Sequence, residues 1–406
     1  MKLKIVIIFL MVIITTNLSS QSIYSFHGPA EISYQRDAYG EGMGGTGVGD
    51  LFRRNASFIN PAIATSVDRI QFATALSMGN TVYHNSDHQS FRDDQVFLPY
   101  FSMLFPYKNH RFGFNFYNVS SGKLDTQRRN EITYDDEIEH VTEVQRTDFT
   151  LFKGSILYAN KNDIVNYGIG LSYVFGHNVR YHHQNFDNSN MLNSSFENEH
   201  VFKSPTLDVG LAKQFNSFSA GMSFTLPVEL KGDSYFKTNT LNEYIKQEVY
   251  EYPAHMALGF TWKAHDYVYL SSDVDFDFWG NTNNFENSVN VLRTGLGVAW
   301  TGISSSRNFL SRMPLRAGVS YRNLPFEVND KMVNEIAYHG GLSIPLKNYE
   351  SSLMIAFKYF LRGDTDKHEY AENGFLLTIG TTGFDFIRRP VDRKSPRDIP
   401  VPDNRF

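Results

Sequence analysis

The chain has 406 residues, a net charge of −5 and no cysteine, so it holds no disulfide and no cysteine for lipid attachment. Aromatic residues make up 15% of the sequence, yet the mean hydropathy is only −0.34. This combination excludes a bundle of membrane-spanning helices, because each such helix needs about twenty consecutive apolar residues. The small net charge gives no electrostatic reason to expect nucleic acid as a partner.

The first twenty residues have the pattern of an export signal. Lys2 and Lys4 precede an apolar run at 5–14, and a short stretch of small and polar residues follows at 15–20. This order is typical of a secretory signal peptide, and the apolar run is too short to anchor the chain across a bilayer. We therefore expect residues 1–20 to be a signal peptide and the mature protein to begin near Gln21.

Residues 21–67 are rich in glycine and lack the alternation of strands, which favours an N-terminal plug with short helices. Asn60-Pro61-Ala62 predicts a helix start, since Asn caps a helix well and Pro suits its first position. A second interpretation is that this turn couples ligand binding to opening. Gly40, Gly42 and Gly45 fit the Gly-x-Gly-x-x-Gly pattern, but without a surrounding β-α-β unit we interpret them as a plug loop. The candidate plug and gating residues are Asn60, Pro61, Ala62, Gly42, Gly44 and Gly45.

Residues 68–386 alternate between bulky apolar and small or polar side chains, which predicts an all-β domain of about fourteen strands. In one clear case Tyr167, Ile169 and Leu171 oppose Gly168 and Gly170. Alternation alone fits both a soluble sandwich and a membrane barrel. The expected strands are 70–84, 95–107, 111–124, 147–159, 164–182, 201–215, 218–231, 249–263, 267–278, 289–301, 314–323, 333–346, 352–361 and 374–384.

The connections between these strands favour the membrane barrel, because short and long ones alternate along the chain as they do in outer-membrane barrels. The short connections are 108–110, 160–163, 216–217, 264–266 and 347–350, and the long ones are 125–146, 183–200, 232–248, 279–288 and 362–373. The connection at 302–313 falls where the alternation of short and long connections predicts a short one, yet it is longer. We therefore expect a small helix or an ordered lip there. An even strand number would place both chain ends in the periplasm.

Charged residues at period two indicate a polar lumen. Asp273, Asp275 and Asp277 share one face of a strand, and we favour arginine counter-ions over a metal as their partners. The candidate lumen charges are Asp273, Asp275, Asp277, Arg293, Arg316 and Arg322. His177, His182 and His183 lack a clear ligand spacing and are interpreted as surface residues. No Ser, His and acid constellation stands out, so neither an enzyme activity nor a metal or other cofactor is expected.

The last twenty residues, 387–406, are basic and rich in proline. Such a composition cannot bury enough apolar area to fold alone, so we expect a disordered periplasmic tail. The alternative interpretation is a contact with a periplasmic partner or with lipid phosphates.

Three segments resemble the FadL-type family of outer-membrane transporters for long-chain fatty acids and other hydrophobic compounds. The first is the glycine-rich run 38–49 followed by Asn60-Pro61-Ala62, which is similar to the family's plug. The second comprises 252–262 and 267–279, similar to a Pro-containing strand, a turn and an Asp-bearing strand that ends in Trp. The third is 313–321. The combination of these segments carries the resemblance.

The resemblance implies a fourteen-stranded transmembrane antiparallel barrel in the bacterial outer membrane, plugged by its N-terminus. It also implies passive uptake of a hydrophobic small molecule that leaves through a lateral gap. The expected partners are that ligand, outer-membrane lipids and the barrel-assembly machinery. An alternative is a PorV-type barrel that binds secreted proteins in secretion or cell-surface attachment, since that type shares the barrel and a glycine-rich N-terminus. A barrel lipase has no motif support.

Overall fold

The computed structural model describes residues 22–26, 31–34, 36–53, 58–86, 90–134, 137–187, 191–239, 244–284, 287–303, 306–346 and 351–383. The expected signal peptide (1–20) and tail (387–406) lie outside the described residues, as do residues 384–386 at the expected end of the barrel. Among the described helices, none is both long and apolar enough to cross a membrane.

Strands dominate the described residues. They are β1 (Glu31–Ile32), β2 (Gln71–Asn85), β3 (Ser90–Phe97), β4 (Tyr100–Tyr107), β5 (His110–Tyr134), β6 (Glu137–Asn160), β7 (Asn166–Phe186), β8 (Ser194–Gln214), β9 (Phe218–Thr225), β10 (Val228–Thr238), β11 (Tyr244–Tyr252), β12 (His255–His265), β13 (Val268–Asp277), β14 (Val291–Trp300), β15 (Leu315–Val328), β16 (Lys331–Pro345), β17 (Ser352–Gly363) and β18 (Tyr370–Thr382). Short helices lie at Ile23–Phe26, Ala38–Glu41, Pro61–Ser66, Trp279–Asn281, Phe309–Arg312 and Thr365–His368.

The strands form one antiparallel sheet that closes on itself where β18 pairs with β2. Three wall strands are interrupted, each beside a proline: β3 and β4 at Pro99, β9 and β10 at Pro227, and β11 and β12 at Pro253. Proline interrupts a strand ladder because it has no N–H to donate. Counted as continuous wall strands, these elements give a closed barrel of fourteen, which confirms the predicted fold class.

The alternation sorts side chains to the two sides of the wall as expected. On β7 the side chains of Tyr167, Ile169 and Leu171 are exposed on the outside, and Leu171 is 61% exposed. Gly168 and Gly170 face the interior and are buried. The outer surface of the barrel is therefore apolar and its inner surface small or polar, the arrangement of a barrel surrounded by lipid.

Three predicted long loops are wrong, because most of their residues belong to strands. β5 and β6 run to residues 134 and 137 across the predicted loop 125–146, and β7 with β8 and β10 with β11 similarly fill most of 183–200 and 232–248. These residues are polar on both faces, so they lack the apolar alternation used as a strand signal. Backbone pairing with neighbouring strands nevertheless continues the ladders.

The strand extensions stand on one side of the barrel and are called the crest here. The crest comprises 122–134, 137–149, 178–186, 194–203, 228–238 and 244–252. It rises from the long-loop end of the barrel, opposite the short-turn end that carries the connections 108–109, 215–217 and 266–267. The irregular connection 302–313 lies at the short-turn end and contains the helix Phe309–Arg312, in line with the expected small helix.

Candidate functional site

The described parts of the N-terminal segment, between residues 22 and 67, lie inside the ring of strands. At the long-loop end Ser22 Oγ donates to Glu372 Oε1 at 2.9 Å, and Tyr24 Oη donates to the carbonyl of Tyr370. At the short-turn end Arg111 Nε donates to the carbonyl of Val67. The described parts of the segment therefore contact the wall from one end of the lumen to the other.

Three carboxylates on β13 hold the middle of this segment. Asp273 Oδ2 accepts from the backbone N–H groups of Gly47 at 2.7 Å and Val48 at 2.9 Å. Arg36 Nη2 lies 3.2 Å from Asp273 Oδ2 and 3.0 Å from Asp275 Oδ1. All of these carboxylates are buried, and Asp275 is 0% exposed. The period-two aspartates thus serve as anchors for the N-terminal segment.

The third carboxylate of this row, Asp277, has two further partners. The Tyr34 hydroxyl donates to Asp277 Oδ2 at 3.2 Å, and the ring of His255 bonds the other oxygen. Tyr34 belongs to the N-terminal segment while His255 belongs to the wall, so Asp277 also joins the segment to the barrel.

The arginines predicted as counter-ions have different partners. Arg293, on the strand next to β13, donates to Asp275 Oδ2 at 2.6 Å and to the carbonyl of Gly44 at 2.7 Å. Arg322 pairs with Glu335 at 2.7 Å, and Arg316 donates to Ser343 Oγ at 2.8 Å. Arg316 and Arg322 lie on β15, two strands from the aspartates, and the partners named here belong to the neighbouring strand β16.

The glycine-rich part of the N-terminal segment packs on wall glycines that are called the glycine seat here: Gly221, Gly259, Gly318 and Gly341. Gly44 and Gly45 have φ angles of 72° and 67°, values that side chains with a Cβ rarely adopt. A Cβ built on wall residue Gly318 would lie 2.6 Å from the carbonyl carbon of Met43, and one on Gly42 would lie 2.9 Å from the Cα of Gly341. Backbone therefore packs directly on backbone, which leaves no room for a ligand between segment and wall at this level.

Asn60 and Pro61 begin the helix Pro61–Ser66, as the sequence predicts. The Asn60 Oδ1 accepts from the N–H of Ala62 at 3.0 Å, so Asn60 caps the helix. Its Nδ2 donates to the carbonyls of Val48 at 2.7 Å and Leu211 at 3.1 Å. One side chain thus joins the helix, the glycine-rich loop and wall strand β8. A role in coupling ligand to opening stays a prediction.

The wall is interrupted between β3 and β5. β4 pairs with β5 up to Tyr100 and Tyr117, and the N–H of Asn118 still donates to the carbonyl of Pro99 at 3.0 Å. Beyond this point β3 pairs only with β2, and no ladder joins β3 to β5 among the described residues. The described wall therefore has no ladder between these two strands toward the long-loop end.

The N-terminal segment lies in this break. Its strand β1 pairs antiparallel with β5, with Ile32 opposite Ser120, and the N–H of Ser33 donates to the carbonyl of Val119 at 2.8 Å. Arg322 Nη1 donates to the carbonyl of Ile32 at 2.9 Å. The short strand β1 is thus bonded to the edge of the break on one side and to a lumen arginine on the other.

Two interior cavities adjoin the break. One of about 90 Å³ is lined by Gln95 and Phe97 of β3 and by Ser121 of β5, together with Arg36 and Glu41. The other, of about 30 Å³, is more apolar; its lining includes Val119, Phe149, Leu151, Tyr252 and Trp279. Both are smaller than the cavity of about 150 Å³ that accepts benzene in another protein. Neither of these two cavities is therefore large enough to hold a fatty acid.

Aromatic side chains fill the lumen at the base of the crest. Phe202 stacks on Tyr250 with ring centroids 5.2 Å apart, and Phe149 lies 5.6 Å from Tyr250. Closer to the break, Phe58 of the N-terminal segment contacts Tyr100 at 4.9 Å and Tyr117 at 5.7 Å. This region is a large apolar part of the interior, and it adjoins the smaller cavity.

The histidines noted in the sequence lie on the crest part of β7 and at its base. His177 Nε2 is 3.4 Å from Asp148 Oδ1. His182 and His183 pair with β6 and β8 at the backbone, and no group of three or more His, Asp or Glu side chains suited to a metal ion occurs among the described residues. The three histidines do not converge on one site.

Several functional positions were missed by sequence reasoning. Arg36 and Glu335 are single charged residues with no periodic pattern around them. The position of the break also had no signal beyond Pro99, because strand pairing is a long-range property. The glycine seat could have been found, since Gly221, Gly259 and Gly318 all fall on the predicted lumen face.

The fold is shared with solved toluene transporters and with a FadL homologue. The toluene transporter TbuX of Ralstonia pickettii superimposes with a TM-score of 0.61 at 13% identity, over 86% of this chain and 98% of that one. The toluene transporter TodX of Pseudomonas putida gives 0.61 at 14% identity, over 87% and 98%. A FadL homologue of Pseudomonas aeruginosa gives 0.59 at 12% identity, over 87% and 99%. These likenesses confirm the FadL-type fold.

Sequence comparison gives the family. No curated protein matches this chain. The family model described as BamG matches residues 1–385, which is nearly the whole sequence. On the strength of that match, the barrel with its occupied lumen belongs to the BamG family.

Proposed function

We propose that this protein is an outer-membrane channel for the passive uptake of small hydrophobic molecules, and that the N-terminal segment closes it. The short-turn end, at which the last strand β18 ends, faces the periplasm, and the crest faces the outside. The support is the fold that it shares with two toluene transporters and a FadL homologue, together with the apolar outer surface of the wall.

The observation that carries the proposal is the break between β3 and β5, with β1 lying in it. A molecule that leaves through such a break passes from the lumen into the lipid without crossing water. Transfer of apolar surface from water stabilises the bound molecule by about 25 cal/mol per Å², so capture needs no energy source. The aromatic region beside the break offers the apolar contacts for that capture.

Opening requires movement of the N-terminal segment, because the cavities in the closed arrangement are too small. We propose that β1 leaves the edge of β5 while the β13 carboxylates keep the middle of the segment in place. The pairing at Ile32 and Ser120 is then the gate. The glycine seat and Asn60 act as the fixed part of the plug.

A disulfide across the gate tests this proposal. The chain has no cysteine, so Ile32→Cys with Ser120→Cys creates the sole pair that can form a disulfide. The two residues are direct partners in the β1–β5 ladder, and such pairs lie within about 4.5–5.5 Å between Cα atoms, which suits a disulfide. Uptake of radiolabelled toluene and oleate is measured in cells lacking their own fatty-acid channel. We expect uptake to be lost when the pair is oxidised and to return with reductant.

The matched control places a disulfide in the permanent wall. Thr261 and Ser271 are partners on β12 and β13, and their hydroxyls are 2.9 Å apart. The Thr261→Cys and Ser271→Cys pair should leave uptake unchanged in both redox states. Equal uptake by the oxidised and reduced gate pair would exclude β1 as the gate. Equal uptake by cells with and without the wild-type protein would exclude the channel itself.

A second candidate function is a protein-binding barrel, and two observations favour it. The crest extends six strands beyond the apolar outer surface of the barrel, which is more structure than a pore mouth needs. The family description BamG points to the barrel-assembly machinery as partner. Purification from the native host under mild detergent discriminates the two functions. Stable association with assembly-machinery subunits or exported proteins, without uptake of either probe, would favour this candidate.

A further inference from the structure

The outer surface of the wall carries a groove over β13, β14 and β15. Its floor is formed by the small side chains of Ser272 and Ala317 and by the backbone at Gly297, so no large side chain fills the space. The volume of the groove is about 520 Å³, several times that of either cavity beside the break. Larger apolar side chains border it: Phe260, Trp262, Leu270, Leu296, Val298 and Val319.

The groove opens to the membrane and not to the lumen. Leu296 on its border is 56% exposed on the outer surface of the barrel, and its register partner on β15 is Val319. On the inner surface the N-terminal segment packs against the same strands, since a Cβ built on Gly297 would lie 2.8 Å from the carbonyl carbon of Met43. The N-terminal segment therefore closes the wall behind the groove, and an occupant can reach the groove only from the lipid.

Two tryptophans mark the depth at which the groove ends. Trp262 borders the groove and is 39% exposed. Trp300 is the last residue of β14, two positions beyond Val298 of the groove border. Two strand residues span about 7 Å, and tryptophan is enriched where a bilayer meets water. The groove therefore ends just inside the hydrocarbon at the short-turn end of the barrel.

The connection 302–313 leaves β14 directly below this end of the groove. It contains Arg307 and Arg312 and no acidic residue. Its Phe309 is 48% exposed and its Leu310 is 69% exposed. Exposed apolar side chains beside cations are typical of segments that lie in the membrane interface. The connection therefore places positive charge at the level of the lipid headgroups.

The neighbouring turn adds no net charge there, because its Lys263 and Asp266 pair with each other at 2.9 Å. We propose that the groove and the connection 302–313 together bind one glycerophospholipid of the periplasmic leaflet. One acyl chain fills the groove, and Arg307 and Arg312 bind the phosphate, which accepts charge-assisted hydrogen bonds from guanidinium groups. The choice of leaflet rests on the proposed orientation of the barrel, whereas the site requires neither uptake nor an open gate.

Native mass spectrometry of the full-length protein, extracted from its own outer membrane into detergent, tests the groove. We expect the wild type to retain one phospholipid per chain. Ala317→Trp fills the groove and should lower the lipid-bound fraction at least about fivefold, because the acyl chain loses its apolar contacts.

The matched control for the groove is Gly154→Trp. Gly154 lies on the lipid-facing side of β6, outside the groove, and has open space around its Cβ position, so lipid retention should not change. Equal retention by the two variants would overturn the proposal. A wild type that retains lipopolysaccharide, a protein partner or no lipid would overturn it as well.

Titration of the delipidated full-length protein tests the two arginines. The wild type should bind dioleoyl phosphatidylglycerol at least about tenfold more tightly than dioleoylglycerol, which has the same chains but no phosphate. Arg307→Gln with Arg312→Gln should abolish this difference. The control, Lys108→Gln with Lys161→Gln, changes exposed lysines of two other short turns and should keep it. Equal affinity of the wild type for both lipids, or an unchanged preference in the arginine variant, would overturn the proposal.

Discussion

Asp275 carries much of the connection between the N-terminal segment and the wall. Its two oxygens pair with Arg36 of the segment and with Arg293 of the wall, and all three side chains are buried. Removing one member of a buried charge cluster is costly because the others lose their compensation. A single carboxylate therefore contributes both to stability and to closure.

We predict that Asp275→Asn lowers the free energy of unfolding by about 3–5 kcal/mol, because two buried guanidinium groups lose their shared counter-ion. The measurement is urea-induced unfolding in detergent micelles, followed by tryptophan fluorescence. Asp266→Asn is the control, since Asp266 pairs with Lys263 at 2.9 Å in an exposed turn. Exposed pairs contribute little, so the control should not change stability. Equal effects of both substitutions would contradict the anchoring role of Asp275.

At the scale of single residues, the sequence predicted those side-chain roles that depend only on neighbouring residues in the chain. Asn60 was expected to cap a helix, and it does, because capping depends on neighbouring residues. The period-two aspartates were expected in the lumen, and alternation along a strand places them there. Their partner Arg36 lies more than two hundred residues away in the chain, so no spacing could reveal it.

The helix Pro61–Ser66 is the element that joins the N-terminal segment to wall strand β7. A Cβ built on Gly168 would lie 2.5 Å from the carbonyl carbon of Pro61 and 2.6 Å from the N of Ala62. Backbone atoms cannot rotate away as a side chain can, so the helix fits only while Gly168 has no side chain.

We predict that Gly168→Ala displaces this helix and loosens the plug. Protease cleavage within residues 58–67 should become faster in the folded protein in detergent, while the barrel itself stays folded. Gly154→Ala is the control, because Gly154 lies on the adjacent wall strand β6 and has open space around its Cβ position. Cleavage of Gly168→Ala at the rate of wild type would show that the helix does not depend on this contact.

The element scale also shows where a hydrophobic pattern stops being informative. Strand number followed from alternation, since lipid on one side and a filled lumen on the other impose opposite demands on neighbouring residues. The crest extends beyond the apolar outer surface of the barrel, where no such opposite demand acts on its two faces. Residues 125–146 therefore lack apolar alternation and resembled a loop in the sequence. Their strand structure depends on pairing with neighbours, as in Arg129 with Thr142 across β5 and β6.

At the scale of the whole molecule, the barrel combines a lipid-compatible outer surface with a lumen filled by its own N-terminal segment. The fourteen-strand count, the closure and the polar interior were predicted from the sequence. The N-terminal plug was also expected, but the contacts that seat it, such as Glu372 with Ser22, and the position of the break join distant residues and were not predicted. In our proposal these two features together make a closed channel with a side exit.

The most direct test is a density map of the protein in lipid nanodiscs, recorded with and without saturating oleate. The account predicts that oleate displaces β1 from Ser120 and Ser121, and that elongated density runs from the aromatic region through the break between β3 and β5 into the lipid. The account would be contradicted if, at saturating oleate, β1 stayed paired with Ser120 and Ser121 and no added density appeared in the lumen or in the break.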